Sequence, residues 1–123
     1  MNNKDIKSRD SKSLNKIWNM YGSGELEKTD YKIHCLCDYE SGVNSDGHSG
    51  WFFNTENTEG IDAVNTIIFT LRIVLPTHLY ENLLRAKEAY GTETEDEVCD
   101  EADEYFYEHE REIIDILQDL ANV

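Results

Sequence analysis

The 123-residue sequence predicts an all-α fold: a single compact domain of about five or six helices with a long acidic helix at the C-terminus. Apolar residues recur at steps of three and four through most of the chain, the spacing of a helix with one buried face. Residues 33–37 alternate as a strand does, but no second stretch of this kind can pair with them. The sole proline and several glycines separate the periodic segments, as helix breakers do.

The N-terminal residues differ from the rest in composition. Residues 1–12 are polar, rich in lysine and without periodicity, so we expect a flexible basic arm followed by one helical domain over residues 13–123. No apolar run reaches the roughly 20 residues of a membrane helix, and the N-terminus lacks a signal-peptide core. Three cysteines, an odd number, favour a reducing compartment. We therefore expect a cytoplasmic protein.

The first half of the domain contains two predicted helices and an irregular segment. One helix starts near Ser13, stops at Gly22 and carries Leu14, Ile17, Trp18 and Tyr21. A second begins after Thr29 or Asp30, either of which can cap it, and carries Tyr31, Cys35, Leu36, Tyr39 and Val43. Residues 41–60 hold four of the seven glycines. We expect them to be irregular, with a short helical turn at Trp51, Phe52 and Phe53.

The second half is more regular. From Ile61 an apolar series predicts a helix that Pro76 ends, and this helix is expected to be the central one. Pro76 can open the next helix, which closes at Gly91. The acidic helix follows, with eleven carboxylates in residues 93–112 (ETEDEVCDEADEYFYEHERE) and one arginine. Its predicted apolar stripe comprises Val98, Ala102, Tyr105, Phe106, His109, Ile113, Leu117 and Leu120.

The net charge of the chain limits the classes of partner that it is expected to bind. A formal net charge of −15 and a pI near 4.4 argue against binding to nucleic acid or to anionic membranes. They favour solubility, the binding of calcium or other cations, or a basic protein partner. Eleven carboxylates along about 30 Å of helix approach the charge spacing of one DNA strand, about 3.4 Å, so DNA mimicry is physically possible. The expected contact residues are Glu93, Glu95, Glu97, Asp100, Glu101, Asp103, Glu104 and Glu108.

Motifs that would indicate catalysis or metal binding are incomplete. Residues 44–47 resemble the start of a calcium loop, but the glutamate required at its far end is missing. His34, Cys35, Cys37 and His48 lack zinc-ligand spacing. Acidic neighbours should raise the pKa of Cys99 and make it a poor nucleophile. We therefore predict a protein that is not an enzyme and has no cofactor and no metal.

One short motif carries a family resemblance. Glu40 lies in a helix, and Asp46, Gly47, His48, Trp51, Phe52 and Asn54 follow at the positions of an Asn-Gly-Gly-Phe-x-Gln-aromatic-Phe-x-Asn pattern. Asp46 stands for its first glycine, His48 for its aromatic residue, and Gly50 for its glutamine. From about Trp18 onward, the chain resembles a bacterial domain-of-unknown-function family that includes a DNA-mimic protein. The resemblance implies a small acidic all-α protein, whose mimic member occupies a DNA-binding protein.

The expected function is non-enzymatic binding of a basic, DNA-binding or nuclease-like protein, with DNA mimicry as one form of it. A first alternative is a metal-dependent hydrolase built on the Asp46/His48 loop, with Glu40 and Asp38 as further ligands. A second is a structural or immunity-type protein whose acidity serves solubility alone. A homodimer is also considered, because the large side chains of Trp18, Tyr21 and Tyr80 can exceed what the core of one chain is able to bury.

Overall fold

The computed structural model describes residues 15–121, which form six α-helices and contain no strand. They are α1 (15–22), α2 (Glu25–Thr29), α3 (Tyr31–Glu59), α4 (Ile61–Val74), α5 (Thr77–Ala89) and α6 (Glu95–Ala121). The predicted all-α single domain with a long C-terminal helix is confirmed. Ser13, Leu14 and the arm of residues 1–12 lie outside the described residues.

The start of α3 follows the capping chemistry of the sequence. The side chain of Asp30 accepts a hydrogen bond from the backbone N–H of Ile33 at 3.3 Å, which satisfies one of the otherwise unpaired N–H groups at a helix start. The helix α2, only five residues long, was not predicted. Its one buried side chain is Leu26, and so short a helix leaves almost no periodic signal in a sequence.

The prediction of an irregular segment over residues 41–60 is wrong. The helix α3 continues through it as far as Glu59, with one interruption at Gly47, where φ is 73° and ψ is 174°. Trp51 and Phe52 are therefore part of a long helix, with both side chains buried. Position 42 requires glycine for a different reason, because a Cβ on Gly42 would collide with the indole of Trp51. Gly47 thus permits the kink and Gly42 permits the close contact with Trp51, and the segment is helical and not a loop.

Pro76 and Gly91 mark the helix ends as predicted. The helix α4 ends at Val74, α5 begins at Thr77 directly after the proline, and Gly91 takes a positive φ of 82° just beyond α5. The prediction that α4 is central is wrong. The central helix is α3, which packs against α4 and α6 and also contacts α2 and α5.

The apolar stripe of α6 docks this acidic helix on the domain. Ala102, Phe106, Ile113 and Leu117 are fully buried, while Val98, Tyr105, His109 and Leu120 are half-buried. Burying a large apolar side chain contributes about 1.5–3 kcal/mol, against roughly 0.2–0.5 kcal/mol lost for each like-charge pair one turn apart. Burial of the stripe therefore outweighs the repulsion between the carboxylates.

Candidate functional site

The kink of α3 places the residues of the family-like motif. Gly47 has the left-handed φ that other residues rarely adopt, and a Cβ there would lie 2.6 Å from an Asp103 carboxylate oxygen. The kink thus brings α3 against α6. His48 follows it with a fully buried side chain.

Both ring nitrogens of His48 are engaged. Nδ1 lies 2.7 Å from Oδ1 of Asp103, and Nε2 lies 2.7 Å from the hydroxyl of Tyr39. The same Asp103 oxygen accepts the backbone N–H of His48 at 2.8 Å. Tyr39 is fully buried, and burial raises the pKa of its phenol. This chain of three residues resembles a nucleophile–base–acid arrangement only formally, because no substrate can reach the hydroxyl.

Asp38 joins two aromatic side chains near the same kink. Its carboxylate accepts hydrogen bonds from the hydroxyl of Tyr21 at 2.6 Å and from the indole N–H of Trp51 at 2.9 Å. Asp46 is exposed and accepts a bond from Asn54. Asp38, Asp46 and His48 are thus each held by different partners, so no observation favours the hydrolase alternative.

The remaining motif residues pack into or beside the core. Phe52 is fully buried and its ring meets that of Tyr90 edge-on, with centroids 5.2 Å apart. Glu40 is buried, and it lines a cavity of about 650 Å³ between α1, α3 and α6. Trp18 and Arg111 contribute to the same cavity wall. No pattern along the chain indicates this cavity, because its lining comes from three helices that are far apart in the sequence.

The predicted contact residues divide into two groups in the structure. Six of the eight are exposed, namely Glu93, Glu97, Asp100, Glu101, Glu104 and Glu108. Glu95 is half-buried and accepts the backbone N–H of Gly91 at 2.8 Å, and Asp103 points at His48. These two carboxylates thus form contacts within the fold: Glu95 between α5 and α6, and Asp103 between α6 and α3. We call Glu97, Asp100, Glu101, Glu104 and Glu108 the acidic face of α6.

A second cluster lies on the same helix, near its middle. His109 and Glu112 of α6 meet His78 of α5. The Glu112 carboxylate receives His78 Nε2 at 2.9 Å and His109 Nδ1 at 2.7 Å, and these contacts, the His78 hydrogen bond above all, lower the pKa of Glu112. His109, which the sequence places on the apolar stripe of α6, is half-buried. The sequence could show the three-residue spacing of His109 and Glu112, but not the approach of His78.

The cysteines are part of the core. Cys35, Cys37 and Cys99 are all free and buried. Burial raises the pKa of Cys35 and Cys37 to about 12. The predicted rise of the Cys99 pKa is confirmed in direction, with burial as the main cause and Glu95, Asp103 and Asp100 adding to it. None of the three thiols is suited to act as a nucleophile.

The aromatic residues that suggested a dimer are accounted for within one chain. Trp18, Tyr21 and Tyr80 are half-buried and pack against the core. The large apolar side chains that are most exposed lie elsewhere, with Phe53, Phe69 and Ile73 between 59% and 63% exposed.

Comparison with protein-family models, with curated proteins and with solved structures found no match. The resemblance of residues 40–54 to a family that includes a DNA mimic therefore stays a prediction. No helix within residues 15–121 has both the length and the apolar character needed to cross a bilayer.

Proposed function

We propose that this protein is a non-enzymatic binding protein whose acidic face engages a basic protein that itself binds DNA, and that it does so by mimicking DNA. The observation that carries the proposal is that the carboxylates of the acidic face are exposed and unpaired within residues 15–121. All five of its carboxylates are exposed, and none forms a hydrogen bond or ion pair within residues 15–121. They repel one another at one-turn spacing, so a cationic partner would remove an unfavourable interaction as well as add a favourable one.

The spacing of these charges supports mimicry of a nucleic acid. Glu97 and Glu108 are eleven residues apart, which is about 17 Å along a helix. Five charges over that distance give one charge per about 4 Å, and one DNA strand carries one per about 3.4 Å. The buried side of α6 keeps this row on a rigid support, because Phe106 and Ala102 are fully buried beneath it. A rigid row of charges loses little conformational entropy on binding.

The experiment uses the full chain as bait in cell extract, followed by identification of the captured proteins. The test variant converts four acids of the face to amides: Asp100→Asn, Glu101→Gln, Glu104→Gln and Glu108→Gln. The matched control makes the same change in net charge at exposed positions of α2, α3 and α5: Glu27→Gln, Glu59→Gln, Glu81→Gln and Glu88→Gln.

We expect the native chain to capture a DNA-binding or nuclease protein, the test variant to lose it, and the control to keep it. Binding should also fall steeply with salt, since charge pairs across the interface are screened. The captured protein is then bound to labelled duplex DNA, and the native chain should displace it. Capture that both variants retain, or a partner that holds DNA and this protein together, contradicts the proposal.

A further inference from the structure

Three side chains from two helices converge at the junction of α5 and α6. His109 and Glu112 are three residues apart, and therefore lie on one face of α6. His78 is in the first turn of α5 and reaches the same carboxylate. One ligand atom from each of the three lies within 4.8 Å of the other two, and no other group of three or more His, Cys, Asp or Glu side chains within residues 15–121 meets that limit.

We propose that His78, His109 and Glu112 form a binding site for a divalent transition-metal ion of the zinc class, with a fourth coordination position open to water. Two imidazoles and one carboxylate are a donor set that zinc takes with three protein ligands and a solvent molecule. The side chains are 38%, 32% and 43% exposed respectively, so water can reach the ion. This inference is independent of the proposed function, and it departs from the sequence-based expectation of no metal.

The distances fit such an ion after a small opening. Zinc lies about 2.0–2.2 Å from nitrogen and oxygen ligands, so ligand atoms around a tetrahedral ion are about 3.3 Å apart. His78 Nε2 and His109 Nδ1 are now 2.9 Å and 2.7 Å from the Glu112 oxygens. An opening of about 0.5 Å in each of these two pairs brings them to that separation. The ligand atoms of His78 and His109 lie within 4.8 Å of each other, and they must also come to about 3.3 Å to hold the ion. Partly exposed side chains can make that movement without repacking the core.

The outer partner of His78 also suits a metal ligand. Nδ1 of His78 lies 2.7 Å from the hydroxyl of Tyr105. A metal-binding histidine usually uses its second ring nitrogen to donate to a neighbouring group, which fixes the ring and its tautomer. With an ion at Nε2, the His78 Nδ1–H would donate to the Tyr105 oxygen. The Tyr105 ring further contacts His109, with centroids 4.4 Å apart, so one residue orients both imidazoles.

The site differs in chemistry from the acidic face. Exposed carboxylates without imidazole bind hard cations such as Ca²⁺ and Mg²⁺, in a diffuse and weak manner. Imidazole shifts the preference to zinc. The same three side chains without an ion would act only as a hydrogen-bonded link between α5 and α6, and the experiment must separate these two cases.

The test is a titration of the chelator-treated full chain with Zn²⁺, observed by NMR of the histidine ring nitrogens. The chain has four histidines, and His34 and His48 serve as internal controls because they lie outside the cluster. We expect one equivalent of Zn²⁺ to shift the His78 and His109 signals alone, and an excess of Mg²⁺ to leave them unchanged. Signals of all four histidines moving together, or no saturable change, would overturn the proposal.

Variants give the second readout by calorimetric Zn²⁺ titration. Tyr105→Phe keeps the ligands and removes the outer hydroxyl, so it should weaken binding by about 10–100-fold. His78→Gln and Glu112→Gln should weaken it by at least as much. Asp119→Asn, two turns away on the same helix and exposed, is the matched control and should keep the native affinity. Equal affinity of His78→Gln and the native chain would show that the three side chains are only a hydrogen-bonded link.

Discussion

The hydroxyl of Tyr39 lies 2.7 Å from Nε2 of His48, nine residues further along α3 and beyond the Gly47 kink. Burial raises the Tyr39 pKa, so the phenol keeps its hydrogen. On the other side of the ring, the Asp103 carboxylate can only accept, so Nδ1–H of His48 donates to it. The imidazole thus connects the two halves of α3 to α6, and both of its ring nitrogens have a partner.

The first prediction concerns the acceptor in this chain. Asp103→Ala leaves the buried Nδ1–H of His48 and its backbone N–H without a partner, which should lower the free energy of unfolding by about 1–3 kcal/mol. Asp100→Ala is the control. Asp100 is exposed, so its removal should change stability by no more than about 0.5 kcal/mol. Urea unfolding of both variants measures the difference, and equal effects would show that the Asp103–His48 contact contributes nothing.

The second prediction concerns the backbone at the kink. Gly47→Ala forces a side chain into a positive φ and against the Asp103 carboxylate, and the backbone strain alone costs about 1–3 kcal/mol. Gly22→Ala is the matched control, because nothing lies within 4 Å of the position of its Cβ. It lies in the last turn of α1, where alanine is the better helix former. Thermal melts should show a lower Tm for Gly47→Ala only, and a native Tm for that variant contradicts the kink assignment.

The sequence predicted those parts of the fold that depend on local chemistry. Asp30 and Pro76 determine helix starts through capping and the fixed proline φ, and these effects act within a few residues. The glycines of residues 41–60 led to the wrong prediction of an irregular segment, because glycine occurs at turns and also inside helices where another group packs closely. Gly42 is needed for contact with Trp51, which lies nine positions away, and no local pattern shows that. An isolated glycine at a close helix contact and one at a turn look the same in a sequence.

The candidate sites show the same division. The acidic face was predictable, since charge and helical spacing are both local. Among the predicted contact residues, the main error was Asp103, whose side chain points inward to His48. The cluster of His78, His109 and Glu112 was not predicted. Its assembly depends on how α5 packs against α6, and 31 positions separate His78 from His109 in the chain. Tertiary packing of this kind leaves no trace in the spacing of residues along one helix.

The third prediction concerns the cysteines. With pKa values of about 12 and no exposure, Cys35 and Cys37 should not react with a thiol reagent at pH 8 in the native protein. All three thiols should react in denaturant, and native-state labelling should follow the rate of global unfolding. Timed labelling with mass spectrometry measures this. Rapid modification of one native cysteine would show that its part of the core opens locally.

The fourth prediction is a pH dependence set by Glu112. Hydrogen bonds from His78 and His109 lower its pKa below the ordinary value of 4.5. The folded protein therefore favours the ionised carboxylate, and the resulting stability is present above pH 4.5 and lost as the pH falls through the lowered pKa. Glu112→Gln should be less stable than the native chain at neutral pH, and the difference should shrink in acid. Urea unfolding across the pH range tests this, and a difference that grows below pH 4.5 contradicts it.

The last prediction separates the folding cost of the acidic face from its use. Asp100, Glu101, Glu104 and Glu108 form like-charge pairs with each other and with Asp96, Glu97 and Glu112 at one-turn spacing. Each pair costs roughly 0.2–0.5 kcal/mol, so converting the four to amides should stabilise the free protein by roughly 1–2 kcal/mol at low salt. Acids of the first turn are left in place, because Glu95, Asp96 and Glu97 interact favourably with the helix dipole.

Salt should act on the two proteins differently. Exposed charges are screened over a Debye length of about 10 Å at 0.1 M, so added salt should raise the Tm of the native chain and have a smaller effect on the variant with four amides. The control carrying four amides on α2, α3 and α5 should keep most of the salt effect of the native chain. Scanning calorimetry at several salt concentrations measures all three. If the variant in the acidic face is less stable than the native chain, its carboxylates stabilise the fold, and a binding role no longer follows from their repulsion.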